Sequence, residues 1–389
     1  MIQNKIKDYL FKRRCTLLGV GPMSVNCVDA AVELANEHDI PLMLIASRRQ
    51  IDSEQFNGGY VNNWTTSKFA NYVKTKDKNA NVILSRDHGG PWQNNEEKKQ
   101  NMKLDLAMKS AKESYKADID AGFKVLHIDT SIDIHKTASQ DEVLERLFEL
   151  YGHCWNYALD KSKEIIFEIG TEEQSGSTNT PDELDFTLFS IKKFCKKNKF
   201  PFPTFVVIQT GTKVMEMRNV GSFDSPLRVS NEIPPEIQIP KMLEICKKHN
   251  IFMKQHNTDY LSDTALSWHP RLGIHAANVA PEFGVAETRA FLNIMEKNNL
   301  TSLADKFLEL AYNSRKWDKW MLPNTTASDR DKSIISGHYI FSTPECLELK
   351  KEVSQHLKNK KIDLDLFLAS QVKKSIFRYL CNFRLGRTS

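Results

Sequence analysis

The chain has no C-x-x-C pair, no apolar run approaching bilayer length, and no tract in which basic residues alternate with aromatics. Each absence removes a class of protein. Its seven cysteines (Cys15, Cys27, Cys154, Cys195, Cys246, Cys346 and Cys381) are odd in number and widely scattered, which excludes a disulfide framework and a structural zinc knot. Residues 1–14 are polar and basic without an apolar core, so neither export nor a membrane partner is expected and the address is cytoplasmic. The formal charge of +5 is spread along the chain. Its lysine clusters, Lys192-Lys193, Lys196-Lys197 and Lys358 with Lys360-Lys361, read as solvated helix ends where cations complement the dipole. With no aromatics between them to stack bases, nucleic acid is not an expected partner. Internal repeats and low-complexity segments are also missing.

What is present is an alternation. A length of 389 residues fits two ordinary domains or one barrel with an appendage. Eight short apolar runs, at 15–20, 41–46, 81–86, 124–130, 164–169, 204–209, 250–256 and 271–279, have the continuous apolar character of strands covered on both faces. Stretches with helical spacing separate them, at 24–38, 65–74, 96–121, 140–161, 181–197, 237–249, 261–268 and 283–298. Ser24 is placed to cap the first and Pro181 to open the fifth. The expected fold is therefore α/β, a TIM (β/α)8 barrel over residues 1–299. Residues 300–389 read as a C-terminal helical extension, packed on the barrel or on a partner subunit.

In such a barrel the chemistry sits at the carboxyl ends of the strands. The third run ends abruptly in Arg86-Asp87-His88-Gly89-Gly90-Pro91, an ionisable pair followed by two residues without side chains. Asp87 is suited to moving a proton and His88 to holding a metal; the plainer reading of the pair is a capping aspartate and a loop histidine. The set of strand ends favours the metal. His88, His256 and a strand-5 glutamate, Glu168 or Glu172, have the ligand types of a catalytic zinc or similar divalent ion. Arg48, Arg49, Arg86 and Lys254, with backbone amides of Gly211 and Thr212, suit a phosphorylated substrate, unless the arginines are simply solvated. Ser47, His127, Gln209, Thr258, Asp259 and Asn278 fall at the same rim and are candidate substrate contacts, and Asp129 joins Asp87 and Glu172 as a candidate catalytic group.

These residues lie in motifs that resemble the GatZ/KbaZ group, the subunit of class II tagatose-bisphosphate aldolases described as non-catalytic. The motifs are Gln55-Phe56-Asn57-Gly58-Gly59-Tyr60, Ile83 through Pro91, Ala121-Gly122-Phe123, His127-Ile128-Asp129-Thr130-Ser131, Ile169-Gly170-Thr171-Glu172, His256-Asn257-Thr258-Asp259-Tyr260 and, more faintly, Ser328-Asp329-Arg330. The resemblance implies a barrel of class II aldolase type, with Asp87 as the proton-transferring carboxylate and His88, His256 and Glu168 or Glu172 on the metal. A further histidine expected near the end of strand 6 is absent, since Gln209 and Thr210 stand there. The implied activity is metal-dependent retro-aldol chemistry on a phosphorylated ketose, by cleavage or by C4 epimerisation. The alternative is a non-catalytic accessory subunit that stabilises a separate aldolase, and the implied assembly is a homo-oligomer or a complex with that catalytic subunit.

Overall fold

The structure of the protein is a computed structural model, which describes residues 2–170, 180–221 and 233–386. Eight parallel strands close on one another: β1 (Leu17–Val20), β2 (Leu42–Ser47), β3 (Val82–Gly89), β4 (Val125–Asp129), β5 (Ile166–Gly170), β6 (Phe205–Ile208), β9 (Phe252–Gln255) and β10 (Ala276–Val279), while β7 (Lys213–Met215) and β8 (Arg218–Val220) pair outside the ring. Strand β10 pairs with β1 and shuts the ring. Every residue of β1, β4, β5, β6, β9 and β10 is buried, because side chains fill the barrel on one face and helices cover the other. The result is a TIM barrel, with each of the eight apolar runs supplying one strand.

The surrounding helices begin with α1 (Ile2–Arg13), then α2 (Val25–His38), α3 (Thr66–Lys76), α4 (Asn95–Lys99), α5 (Leu104–Ala121), α6 (Gln140–Asp160), α7 (Pro181–Asn198), α8 (Pro235–His249), α9 (Asp263–Leu272) and α10 (Pro281–Lys297). Their starts follow from local chemistry. The Ser24 hydroxyl accepts from the Cys27 N–H ahead of α2, while Ser139 with Glu142 and Thr180 with Glu183 form reciprocal capping boxes at α6 and α7.

Three features depart from the expected pattern. The stretch 96–121 is two helices, broken where Asn101 takes a left-handed φ of 47° and the Trp92 indole N–H donates to the freed carbonyl of Met102 at 2.7 Å. After β6 the chain forms an antiparallel hairpin, β7 (Lys213–Met215) with β8 (Arg218–Val220), which the apolar-run pattern does not contain. The polar segment 1–14 holds a helix, α1, that buries Ile6 and Leu10 in the core.

Residues beyond 299 form α11 (Thr301–Asn313), α12 (Asp329–Ile340), α13 (Pro344–Lys358) and α14 (Leu364–Asn382). They do not make a core of their own. Val372, Ile376, Tyr379 and Leu380 of α14 join the barrel's core, whereas α11, α12 and α13 share a second apolar cluster with α10. The hairpin meets the extension where Glu216 N–H donates to the Trp320 carbonyl at 2.6 Å. That contact brings the segment around Trp320 over the barrel's mouth.

Candidate metal centre

Strand β3 carries one residue too many. Arg86 pairs with Leu126 and Gly89 with Ile128, so Asp87 and His88 together face the single residue His127 on β4. This is a β-bulge, with His88 at a left-handed φ of 44°. Normal alternation would turn one of the two side chains outward; the bulge aims both at the barrel's mouth, where they line one cavity. The His88 N–H donates to His127 Nδ1 at 3.1 Å. The turn that follows requires glycine, because at Gly90 (φ 145°) a Cβ would sit 1.9 Å from the Asp129 carbonyl oxygen.

Below the cavity, Asp87, His127, Glu168 and His256 each present one ligand atom, all four atoms within 4.8 Å of one another. The sheet register explains part of this, since His127 and Glu168 are direct neighbours on β4 and β5. His127 Nδ1 stands 3.7 Å from Asp87 Oδ1 and 3.6 Å from Glu168 Oε1; His256 Nε2 stands 3.7 Å and 3.4 Å from the same two atoms. Asn278 holds the rim of the cluster, its amide donating to Asp87 Oδ1 at 3.1 Å and to His256 Nε2 at 3.0 Å. Lys254 donates to the other oxygen of Glu168 at 2.7 Å.

The electrostatics suit a cation. Burial pushes His256 down to about 4, so its imidazole is neutral, and the Nε2 lone pair that now meets the Asn278 amide is the one a cation would take in its place. Burial works against ionisation of Glu168, yet the Lys254 ammonium and the two histidines hold it down at about 2. Asp87 is likewise held well below the usual carboxylate range, against burial, by His88, His127 and His256. Two carboxylates thus share the cluster with one fixed positive charge, that of Lys254. Two imidazoles and two carboxylates are a donor set that zinc and related divalent ions take.

His88 stands beside this group rather than in it. Its Nδ1 lies 2.6 Å from Asp129 Oδ2, and its Nε2 lies 3.8 Å from Asp87 Oδ2. Burial lowers the affinity of His88 for a proton, but Asp87 and Asp129 outweigh it and the imidazole titrates above its ordinary value. Asp129 is in turn fully occupied, by Gln93 Nε2 at 2.9 Å and by the Ser131 N–H and hydroxyl at 3.1 and 2.6 Å. His88, His127 and Asp129 also form a second group with the spacing of metal ligands.

The structure separates the remaining candidates. Ser47, Asp259 and Asn278 line the cavity with Asp87, His88 and His256. Arg86 does not reach it: the guanidinium is buried, clamped by both oxygens of Asp118 at 2.7 and 2.5 Å and donating to the carbonyls of Ala46 and Ile51. Arg48 is as fully engaged, by Asp52 at 3.1 Å, Glu97 at 2.7 Å and the Gly90 carbonyl at 2.8 Å. Thr258 is buried with its hydroxyl on the Asn278 carbonyl, and Gln209 and Thr212 are buried in contacts with Asn257 and Gln255. Gly211 turns the chain at φ 79° between β6 and the hairpin. Glu172 lies outside the described residues.

Residues 6–203 match the family described as D-tagatose-1,6-bisphosphate aldolase subunit GatZ/KbaZ-like, just over half of the chain. Among solved structures, the chain is similar to a probable tagatose 6 phosphate kinase from Sinorhizobium meliloti 1021, at a TM-score of 0.75 and 17% identity over 94% of this chain and 100% of that one. It is similar to a fructose-bisphosphate aldolase from Campylobacter jejuni at 0.57 and 14%, over 98% and 93%. A fructuronate-tagaturonate epimerase from Cohnella laeviribosi matches at 0.55 and 12%, over 95% and 81%. At these identities the likeness is one of fold.

Proposed function

Because the chain belongs to the D-tagatose-1,6-bisphosphate aldolase subunit GatZ/KbaZ-like family, whose field is aldolase-type carbohydrate chemistry, we propose that it is itself a catalyst of retro-aldol chemistry on a phosphorylated ketose. The observation that carries this reading is the convergence of Asp87, His127, Glu168 and His256 within 4.8 Å at the barrel's mouth. A divalent cation bound by these four, with zinc the first candidate, would polarise the ketose carbonyl.

The chain's own residues do the rest. Asp87 lines the cavity with Oδ1 turned to the cluster, which leaves its other oxygen, Oδ2, to take the proton of the hydroxyl beside the bond to be cleaved. The carbon–carbon bond then breaks, its electrons passing toward the carbonyl. His88, next to Asp87 and drawn toward its protonated form by Asp87 and Asp129, stabilises the carboxylate. Lys254 fixes one oxygen of Glu168 so that the other faces the cluster, and Asn278 orients Asp87 and His256. Return of that proton to the enediolate carbon, followed by departure of both fragments, gives an aldolase; rotation of the aldehyde and re-addition, with the proton returned to the re-formed hydroxyl, gives a C4 epimerase.

The test is a pair of single substitutions, His256→Ala and His127→Ala, assayed for bound metal by mass spectrometry and for turnover of ketose phosphates and bisphosphates. Metal content and turnover are expected to fall together, turnover by about 10²-fold or more. Full activity in metal-free protein would end this reading. The family's description as a subunit favours a second one, an accessory that stabilises a separate aldolase. A stable complex on coexpression, with no activity of this chain alone, is its signature.

A further inference from the structure

The cavity above Asp87 and His256 holds only about 140 Å³, too little for a sugar phosphate by itself, but it is not closed. Tyr60 and Tyr339, their ring centroids 4.9 Å apart, border it and border an outer vestibule of about 580 Å³ as well. The vestibule lies between the 56–60 loop, helix α4 and residues 315–319 of the C-terminal extension. Its charges do not cancel. Glu96 is matched by Lys99 at 2.6 Å and Asp318 by Arg315 at 3.1 Å. Arg49, Lys98, Lys316 and Lys319 also line it, and none of them forms an ion pair among the described residues; Glu97 and Asp129 act on Lys98 without pairing with it.

These cations are crowded as well as unpaired. Loss of hydration first, then the charges of Arg49 and Lys319, holds the Lys98 ammonium below its ordinary value. Lys319 lies over the rings of Trp320 and Tyr339, at 4.6 and 5.2 Å, which keeps it at the neck. Arg49 and Lys319 border both chambers, one from the end of β2 and the other from the extension. Cations gathered this way repel one another until an anion joins them.

We propose that the vestibule is a phosphomonoester site built jointly by the barrel and the extension, in which Arg49, Lys98 and Lys319 hold the phosphoryl end of the substrate while its carbonyl end lies in the inner cavity. This deepens the retro-aldol reading and rests on it for the identity of the sugar, but the anion site stands or falls by itself. Residues 315–320 and Tyr339 are then part of the site, and the extension is more than a cover for a partner's surface. A phosphate of nearly two negative charges offsets two of the four uncompensated cations.

The test is calorimetric titration of the full chain with inorganic phosphate at constant ionic strength, using chloride as the reference anion. Wild-type protein is expected to bind phosphate, and Lys319→Met and Lys98→Met are each expected to weaken it by about tenfold or more. Both side chains are exposed, so neither variant should unfold; Lys5→Met, which removes a charge on α1, should leave the affinity unchanged. No phosphate binding by the wild type, or equal affinity in the lysine variants, overturns the proposal. Absence of turnover on every sugar phosphate, with the phosphate titration as expected, would instead sink the retro-aldol reading and leave the vestibule standing.

Discussion

Asp129 shows how far a residue can act without touching a ligand. It is buried, and its oxygens are fully used by His88, Gln93 and Ser131. Its role in the proposed reaction is to fix the His88 ring and favour its protonated form. Replacing it with asparagine keeps the shape but removes the charge, and sets an amide N–H₂ against existing donors. Asp129→Asn is therefore expected to lower kcat by roughly 10²–10⁴-fold and to lower the melting temperature, since buried donors are left facing a donor, while bound metal stays near wild type. A variant that loses metal in proportion to activity would show Asp129 to be part of the metal site instead. The same neighbourhood shows what single residues reveal in a sequence. Asp87, Glu168 and His256 are legible as residues of the barrel's mouth, because each lies at or near the carboxyl end of a strand. His127 is legible as a mouth residue from the period of two along β4, but not as a member of the four-residue group. That role depends on how β3 is bulged, and a bulge leaves no trace in an apolar pattern.

Elements were easier to read than their joints. The eight strands follow from apolar runs alone, and most helix starts from serine, threonine or proline in the right place. The start of α10 does so only in part: Pro281 opens it, but no capping acceptor is adjacent. Its N-cap is Ala280, which offers no side-chain acceptor; the cap arrives from the loop after β9, where Asp259 Oδ1 accepts from the N–H groups of Ala280 at 3.0 Å and Glu282 at 2.9 Å. A cap 21 residues distant in the chain is invisible to a search of adjacent positions. It has a measurable consequence, because burial, and after it the neighbouring Glu282, pushes Asp259 up to about 7. The unfolded carboxyl titrates near 3.9, so between about pH 4 and 7 the folded protein retains a proton that the unfolded chain has lost. By linkage, this group's contribution to stability is complete below about pH 4 and is lost as pH rises through about 7. Asp259→Asn keeps the accepting oxygen and removes the titration. Relative to wild type, the variant should gain stability from pH 5 to pH 8, by a few kcal/mol at most, as read from urea midpoints. A difference that does not change with pH would mean that Asp259 is ionised in the folded state.

At the scale of the whole molecule, the sequence suggests a cut that the packing does not respect. Strand–helix alternation stops at 299, and from the chain alone the barrel looks complete there. The structure lays α14 back on the barrel, where Val372, Ile376, Tyr379, Leu380, Phe383 and Leu385 are all buried in the main core, and the Thr16 N–H at the entry to β1 donates to the Phe383 carbonyl at 3.1 Å. Full burial of one large apolar side chain contributes about 1.5–3 kcal/mol, so six together are worth on the order of 10 kcal/mol. That is comparable to the entire stability of an ordinary domain, about 5–15 kcal/mol. A chain ending at Asn299 would also strip α11, α12 and α13 from the face of α10, leaving Phe291 and Met295 exposed. We therefore expect the 1–299 fragment to aggregate on expression, or to show no cooperative thermal transition by circular dichroism, even though it contains all eight strands and the four proposed ligands. Adding residues 300–389 as a separate chain should restore a cooperative transition if the two pieces meet before aggregation. A soluble 1–299 barrel that melts cooperatively would show instead that α14 is an ornament, and that the alternation of strands and helices marks the true folding unit.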